Sequence, residues 1–123
     1  QLQISALYEQ LNATVEQRPL SEIFEDTNPV FVVVCKEKDS IIGIALLGMY
    51  KVISGQRGIV EDVVVDGQHR GKGIGRKLME KLLEEAKNRS INDILLFTGQ
   101  HRTAAITSIK ALVLPYAKAA FII

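Results

Sequence analysis

Apolar residues recur along this chain with two different periods, and the change of period divides it into strands and helices. Three runs rich in β-branched residues follow one another with short polar stretches between them, which is typical of an antiparallel meander. The runs are Pro29–Lys36, Ile41–Tyr50 and Ile59–Val65. Residues Lys36–Asp39 form a charged turn, so the first two runs are predicted to make a hairpin. Lys51–Gly58 is predicted as a polar connection before the third.

A helical spacing replaces the strand pattern after residue 73. The apolar positions fall on one stripe about 100° wide, with Glu and Lys on the opposite face. They are Ile74, Leu78, Met79, Leu82, Leu83 and Ala86. The pattern predicts an amphipathic helix that ends within Arg89–Asn92. Asp93–Thr98 is then predicted as a short buried strand, and the helical crossover makes it parallel to the strand before the helix.

The two ends of the chain complete the predicted elements. Ile4–Asn12 has the spacing of an amphipathic helix, and a shorter helix is predicted at Leu20–Glu25. Near the other end, Ala104–Leu112 has a helix-like pattern and Pro115–Ile123 is predicted as a final strand. The predicted fold class is α/β (α+β), with a mixed, mostly antiparallel sheet flanked by helices, in a single domain of residues 1–123.

Composition agrees with one globular domain and excludes several other classes of protein. The chain has 123 residues, of which 47% are hydrophobic and 24% charged. A single cysteine, Cys35, excludes an internal disulfide and is predicted to be a buried strand thiol. The longest apolar stretch, Ile41–Tyr50, is shorter than the roughly 20 residues that cross a bilayer. We therefore expect a cytoplasmic protein without a membrane partner, and no residue spacing indicates a metal site.

The segment between the third strand and the long helix is rich in glycine and basic residues. Arg70, Lys72, Arg76 and Lys77 give it a local charge of +4, with no acidic residue between positions 67 and 79, whereas the whole chain carries +1. Glycines allow backbone N–H groups to approach a ligand, and the helix begins with its positive dipole end at the same place. This arrangement predicts a site for a phosphate or pyrophosphate. The basic cluster is too short, and too poor in aromatic residues, to indicate nucleic acid.

The spacing of the glycines distinguishes between phosphate-binding motifs. A P-loop requires four residues between its glycines and Ser or Thr after the lysine, and a Rossmann fingerprint requires G-x-G-x-x-G; neither matches. What the chain has is R-x-x-G-x-G, at Arg70, Gly73 and Gly75, directly after a strand. At these residues the chain resembles the GNAT acetyltransferase superfamily, whose pyrophosphate loop is [QR]-x-x-G-x-[GA]. The preceding I-V-E-D-V-V-V is weakly similar to the glucosamine-phosphate acetyltransferase branch.

This resemblance implies a GNAT fold and acetyl-CoA as co-substrate, with no metal. Backbone groups of Val63, Val64 and Val65 would bind the pantetheine arm. The pyrophosphate would be held by Arg70, Gly71, Lys72, Gly73, Ile74, Gly75 and Arg76. In the superfamily a first strand precedes the N-terminal helices. No strand pattern fits ahead of Ile4, so that strand is either absent or lies outside this sequence.

Acetyl transfer from a thioester to an amine needs a proton acceptor, a stabilised oxyanion and a proton donor for the leaving thiolate. Glu61 and Asp62 interrupt an apolar strand, and strand alternation predicts that they lie on opposite faces. We favour Glu61 as the base or amine anchor, and the N–H of Val64 for polarising the carbonyl. Family members commonly place a Tyr where this chain has Ser108 or Ile109. Ser108 is the candidate donor, and Tyr116 would serve only if the chain ran differently.

The predicted function is therefore an N-acetyltransferase that moves an acetyl group from acetyl-CoA to a primary amine by direct attack. The expected partner is a small-molecule or protein amine, and a homodimer stays among the expectations. One alternative is a catalytically weak acyl-CoA-binding or regulatory module, because the expected Tyr is missing. Another is a phosphate-binding module for a different nucleotide.

Overall fold

A computed structural model describes residues 2–91, 93–97 and 120–122 of the chain. In chain order the elements are helix α1 (Leu2–Leu11), helix α2 (Leu20–Ile23), strands β1 (Val30–Glu37), β2 (Ser40–Val52) and β3 (Gly55–Val65), a 3₁₀ turn (Gly67–His69), helix α3 (Ile74–Asn88), and strands β4 (Asp93–Phe97) and β5 (Ala120–Ile122).

These strands form one mixed sheet in the order β1-β2-β3-β4-β5. β1 pairs with β2 and β2 with β3 in the antiparallel sense, whereas β4 is parallel to both β3 and β5. The antiparallel ladders are the longer ones, as predicted. The meander and the parallel pairing of β3 with β4 are both confirmed.

One boundary of the meander differs from the prediction. Lys51–Gly58 is not a polar connection, because the β2–β3 ladder continues to the pair Val52 and Gly55 around a two-residue turn. Both strands extend past the core here, so Lys51 and Val52 are exposed although they are paired. A hydrophobic pattern reports burial rather than pairing, and burial ends earlier than pairing in this hairpin.

Helix α3 covers one face of the sheet, which we call the α3 face. Six apolar residues of the helix are buried there, at the positions that the helical spacing predicts. They pack on β2, β3 and β4, where Leu47, Val60 and Ile94 have at most 3% of their surface exposed. Cys35 of β1 lies at the margin of this core and is half-buried rather than fully buried.

Helix α1 lies on the opposite face, which we call the α1 face. Its Leu7 packs against Ile44 of β2 and Val64 of β3, and these three form a small second cluster of buried residues. Half-buried Ile4 and Val32 pack at its margin. The α1 face is therefore covered by less apolar material than the α3 face.

Several sequence predictions lie outside the described residues. These are the helix at 104–112, the residues Ser108, Ile109 and Tyr116, and the first part of the final strand; its end is observed as β5. In the part of the chain that the structure describes, no helix has the length and apolar character needed to span a membrane. The same residues contain no group of three or more His, Cys, Asp or Glu placed to hold a metal ion.

Candidate active site

Strand β3 has an open edge next to β4. The parallel pairing of the two strands ends at Val60 and Leu96, but β3 continues through residues 61–65. Among the described residues, this last stretch is paired only with β2. Within the described part of the chain its other side has no strand partner, so its backbone polar groups are available to a ligand there.

The hydrogen-bond alternation of β2 and β3 determines which amides face this open edge. Asp66 N donates to Ile42 O at 2.8 Å, and hydrogen-bonded pairs alternate along an antiparallel ladder. The pair of Val64 and Ile44 therefore belongs to the hydrogen-bonded set, which turns the N–H of Val64 toward β2. The amides of Val63 and Val65 point the other way. The N–H of Val64 therefore does not face the open edge, and the geometry favours Val63 or Val65 as the group that polarises a carbonyl.

The glycine-rich loop leads from this edge to the start of α3. Gly71 and Gly73 have φ of 82° and 76°, a left-handed conformation that costs other residues about 1–2 kcal/mol. Gly73 is the N-cap of α3, and no side chain caps the helix. The amides of its first turn have no partner within the helix, so they are available to an anion. This geometry fits the pyrophosphate site predicted for Arg70 to Arg76.

The four basic side chains of the loop differ in their partners. Arg76 is paired with Glu80 at 3.2 Å, and Arg70 Nε donates to Val65 O at 3.3 Å. Lys72 and Lys77 make no ion pair with any described residue. The local positive charge predicted from the sequence is thus partly compensated by Glu80. The charges of Lys72 and Lys77 are not paired with any described carboxylate.

A histidine holds the beginning of the loop in place. His69 Nδ1 lies 2.7 Å from Asp66 Oδ2, and Nε2 lies 2.7 Å from Glu37 Oε2. Gln10 of α1 donates to Asp66 Oδ1 and accepts from Gly67 N, both at 2.8 Å. Hydrogen bonding to Asp66, and then to Glu37, raises the pKa of His69, because only the imidazolium donates to both carboxylates. Hydrogen bonding from Gln10 and His69 lowers the pKa of Asp66.

A β-bulge lies just beyond the end of the β3–β4 pairing. The register with β2 shifts between Ile44 and Leu46, so that two residues of β3 lie opposite one of β2, and Asp62 has φ of 53°. Glu61 is paired with Leu46, and directly opposite residues of a ladder share a face. Both acidic residues are exposed, and both raise the pKa of Tyr8 on α1. The prediction that alternation separates Glu61 and Asp62 is therefore wrong, because the bulge brings both to the α1 face.

A cavity of about 220 Å³ opens on the α1 face beside the bulge. It lies between α1, residues 15–18, α2 and the sheet, and Asp62 is the acidic residue of the sheet in its wall. Although Asp62 is exposed overall, desolvation of its carboxyl group raises its pKa. Desolvation also raises the pKa of Tyr8, ahead of the contributions of Asp62 and Glu61, so Tyr8 is a neutral phenol.

The sequence interpretation missed several of these residues. Asp62, Tyr8 and the His69 cluster were not among the predicted site residues, although the sequence carries a signal for two of them. Two consecutive polar residues in a β-branched strand break its period of two, which is typical of a bulge. The spacing of Asp66 and His69 is that of a local carboxylate–imidazole pair. Tyr8 has the spacing of an ordinary core position and carries no such signal.

Comparison with solved structures identifies proteins of the same fold. Glucosamine-6-phosphate N-acetyltransferase from Arabidopsis thaliana superimposes with a TM-score of 0.72 at 24% identity, over 85% of this chain and 78% of that one. A protein from Clostridium acetobutylicum, described as a predicted acetyltransferase and solved with acetyl-CoA, gives 0.66 at 18% identity, over 94% and 80%.

Comparison at the level of sequence gives a shorter match. The L-amino acid N-acyltransferase MnaT of Escherichia coli is 40% identical over 58 residues, which span 46% of this chain and 34% of that protein. The family model described as the acetyltransferase (GNAT) family matches residues 2–110. This match includes the open edge of β3, the bulge and the glycine-rich loop, and the chain therefore belongs to the acetyltransferase (GNAT) family.

Proposed function

We propose that this protein transfers an acetyl group from acetyl-CoA to a primary amine, by direct attack of the amine on the thioester. The open edge of β3 carries this proposal, because it leads from the bulge at Asp62 directly to the uncapped start of α3. One continuous surface thus offers backbone amides for an extended arm and an anion site at its end. The family membership and the similarity to a protein solved with acetyl-CoA support the same assignment.

In this proposal the glycine loop holds the pyrophosphate through backbone N–H groups. The left-handed glycines Gly71 and Gly73 allow the backbone to approach the anion, and the first-turn amides of α3 donate to it. Lys72, which makes no ion pair with described residues, supplies positive charge. The pantetheine arm lies along β3 and bonds the outward-facing backbone groups of Val63 and Val65.

The transfer step requires a proton acceptor beside the acceptor amine. The nitrogen attacks the carbonyl carbon, a C–N bond forms, the C–S bond breaks, and coenzyme A leaves as thiolate that takes up a proton. A carboxylate at the bulge receives the proton that the amine gives up, directly or through one water. Asp62 lines the cavity and its pKa is raised, so it is a better proton acceptor than an ordinary aspartate. Glu61, next to it, remains the residue favoured from the sequence.

The second candidate function is an acyl-CoA-binding module with weak turnover. The observation that favours it is the presence of Ser108 and Ile109 where family members commonly have the Tyr that protonates the thiolate. The cofactor surface would be the same in both proteins. They differ only in whether coenzyme A is released when an amine is supplied.

One experiment separates these functions. The purified protein is titrated with acetyl-CoA and with CoA in a calorimeter, and thiol release is then followed with a panel of amines. Binding together with release for at least one amine supports the acetyltransferase, whereas binding without release supports the binding module. A protein that binds neither compound, or binds ATP equally well, would overturn the assignment of the loop.

A further inference from the structure

The cavity on the α1 face has mostly apolar walls. Nine of its thirteen lining residues belong to α1, to α2 with the following Phe24, or to the segment between the helices, and the other four belong to β1, β2 and β3. Its apolar side chains are Ile4, Val15, Leu20, Ile23, Phe24, Val32, Ile44 and Leu46. Phe24 is 49% exposed and lies in the cavity wall. Such walls favour a ligand that brings an apolar body of its own.

The charged groups around the cavity are predominantly acidic. Asp62 lies in its wall, and Glu61 is on the same face of the sheet, where its charge contributes to the raised pKa of Tyr8. Arg18 is the basic residue of the lining; it is 77% exposed and already paired with Glu22 at 3.0 Å. The amide of Gln17 donates to Ser5 O at 2.9 Å and is thereby occupied. The described lining thus attracts a cation and offers no unpaired cation to a phosphate.

The place of Asp62 connects the cavity with the proposed chemistry. The residue belongs to the bulge, immediately past the last β3–β4 pair, and it also lines the cavity. A ligand in the cavity that brings a cationic group to Asp62 would therefore place it beside the open edge of β3. This position is the one that an acceptor nitrogen needs.

Resting on the proposed function, we propose that the acceptor is a primary ammonium compound with an apolar body and no phosphate. Its nitrogen is held by Asp62, and its body lies against Leu46, Ile44 and Phe24. A phosphorylated amino sugar is disfavoured on two grounds: it would bring an anion into an acidic site, and it would bury hydroxyl groups against aliphatic side chains.

The test compares phenethylamine and isoamylamine with glucosamine 6-phosphate, in the presence of saturating CoA for binding and of acetyl-CoA for thiol release. Calorimetric titration reports amine binding whether or not transfer occurs. We expect the two apolar amines to bind about tenfold or more tightly than glucosamine 6-phosphate. Asp62→Asn should weaken phenethylamine binding about tenfold, because it removes a charge-assisted hydrogen bond, and should leave CoA binding unchanged.

A pair of substitutions on β2 tests the apolar wall. Leu46→Asn places an amide in the cavity wall and should weaken phenethylamine binding several-fold, whereas Val52→Asn, on the exposed end of the same strand, should not. Both residues are at least partly exposed, so neither change removes a fully buried side chain. Thermal melting of each variant verifies that it is folded.

The possible results separate the acceptor inference from the proposed function. Thiol release with glucosamine 6-phosphate in preference to the apolar amines would overturn the inference and leave acetyl transfer standing. Asp62-dependent binding of phenethylamine without any thiol release would support the site and overturn transfer. Failure of both apolar amines to bind the folded protein with CoA present would overturn the inference, whatever the result for transfer.

Discussion

The two faces of the sheet differ in how much apolar material covers them. Among the described residues, fourteen buried side chains form one cluster on the α3 face, whereas three form the cluster on the α1 face. The α3 face has a regular amphipathic helix whose first turn adjoins the glycine loop. The α1 face has two shorter helices, a cavity and the carboxylates of the bulge. The densely packed α3 side thus adjoins the proposed pyrophosphate site, and the less covered α1 side contains the cavity proposed for the acceptor.

The largest contrast is expected in stability. Leu82 is fully buried on the α3 face, and Leu82→Ala should lower the free energy of unfolding by about 4 kcal/mol, because the cavity left behind has no room to collapse. Leu7 is 3% exposed on the α1 face, and Leu7→Ala should lower the free energy of unfolding by only about 2 kcal/mol. Urea denaturation measures both. Equal losses would mean that the two faces contribute alike, and would contradict the comparison.

The next contrast concerns the loop at the start of α3. Gly73→Val places a β-branched residue at a φ of 76° and a side chain where the pyrophosphate would approach, so acetyl-CoA binding should weaken by at least about a hundredfold. Gly75→Ala is the matched control, because its Cβ would make only an ordinary contact with Val65, at 3.8 Å. Calorimetry should find its binding unchanged. Unimpaired binding by a folded Gly73→Val protein would refute the loop assignment.

On the α1 face, the two acidic residues of the bulge should affect turnover more than acetyl-CoA affinity. Asp62→Asn is expected to lower the rate with a good acceptor amine about a hundredfold, and Glu61→Gln less, since Asp62 lines the cavity. Steady-state kinetics beside calorimetry separates the two effects. A Glu61→Gln protein as active as the unchanged one would remove Glu61 from the mechanism.

The carboxylate of Asp62 also predicts a pH dependence. The pKa of Asp62 is raised, so its proton-accepting form is present above that pKa and is lost as the pH falls through it. The rate should therefore decline on the acid side at a higher pH than the ordinary aspartate pKa of 3.8 would give. Asp62→Asn should abolish that part of the profile. A profile that is the same in both proteins would assign it to another group.

The smallest effect is expected at His69, which connects the loop to Asp66, just after β3, and to Glu37 at the end of β1. Its pKa is raised, so the stability it contributes is fully present below the ordinary value of 6.5 and is lost as the pH rises through the raised pKa. His69→Gln should flatten the melting temperature across that range. The melting temperature of the unchanged protein should decrease as the pH rises from 6.5 through the raised pKa. If it does not decrease over that range, the bridge to Asp66 and Glu37 is contradicted.

The fold was largely predictable from sequence, because its main elements are amphipathic. The stripe that begins at Ile74 and the runs of Val and Ile have clean periods, and the Arg70–Gly75 motif lies at the junction of both. The hairpin end at Val52 and Gly55 was not predictable in the same way, since its residues are paired without being buried.

The candidate site was predicted in part. The loop follows from a local motif, whereas the cavity depends on how residues 15–18 and Phe24 lie against strands far away in the chain. The face of Asp62 depends on the register shift, and the broken period at Glu61 and Asp62 is the local sign of that shift. Tertiary packing and register therefore determine the acceptor side, and local sequence determines the cofactor side.

The bulge also makes the deletion of Asp62 different from its substitution. Asp62 is the extra residue of β3 between the pair of Leu46 and Glu61 and the pair of Ile44 and Val64. Deleting it would leave Val63 opposite Ala45 in an unbroken ladder, and every remaining side chain would keep its present face. A deletion would therefore remove the bulge together with the carboxylate, whereas Asp62→Asn would remove the carboxylate and keep the residue count of β3.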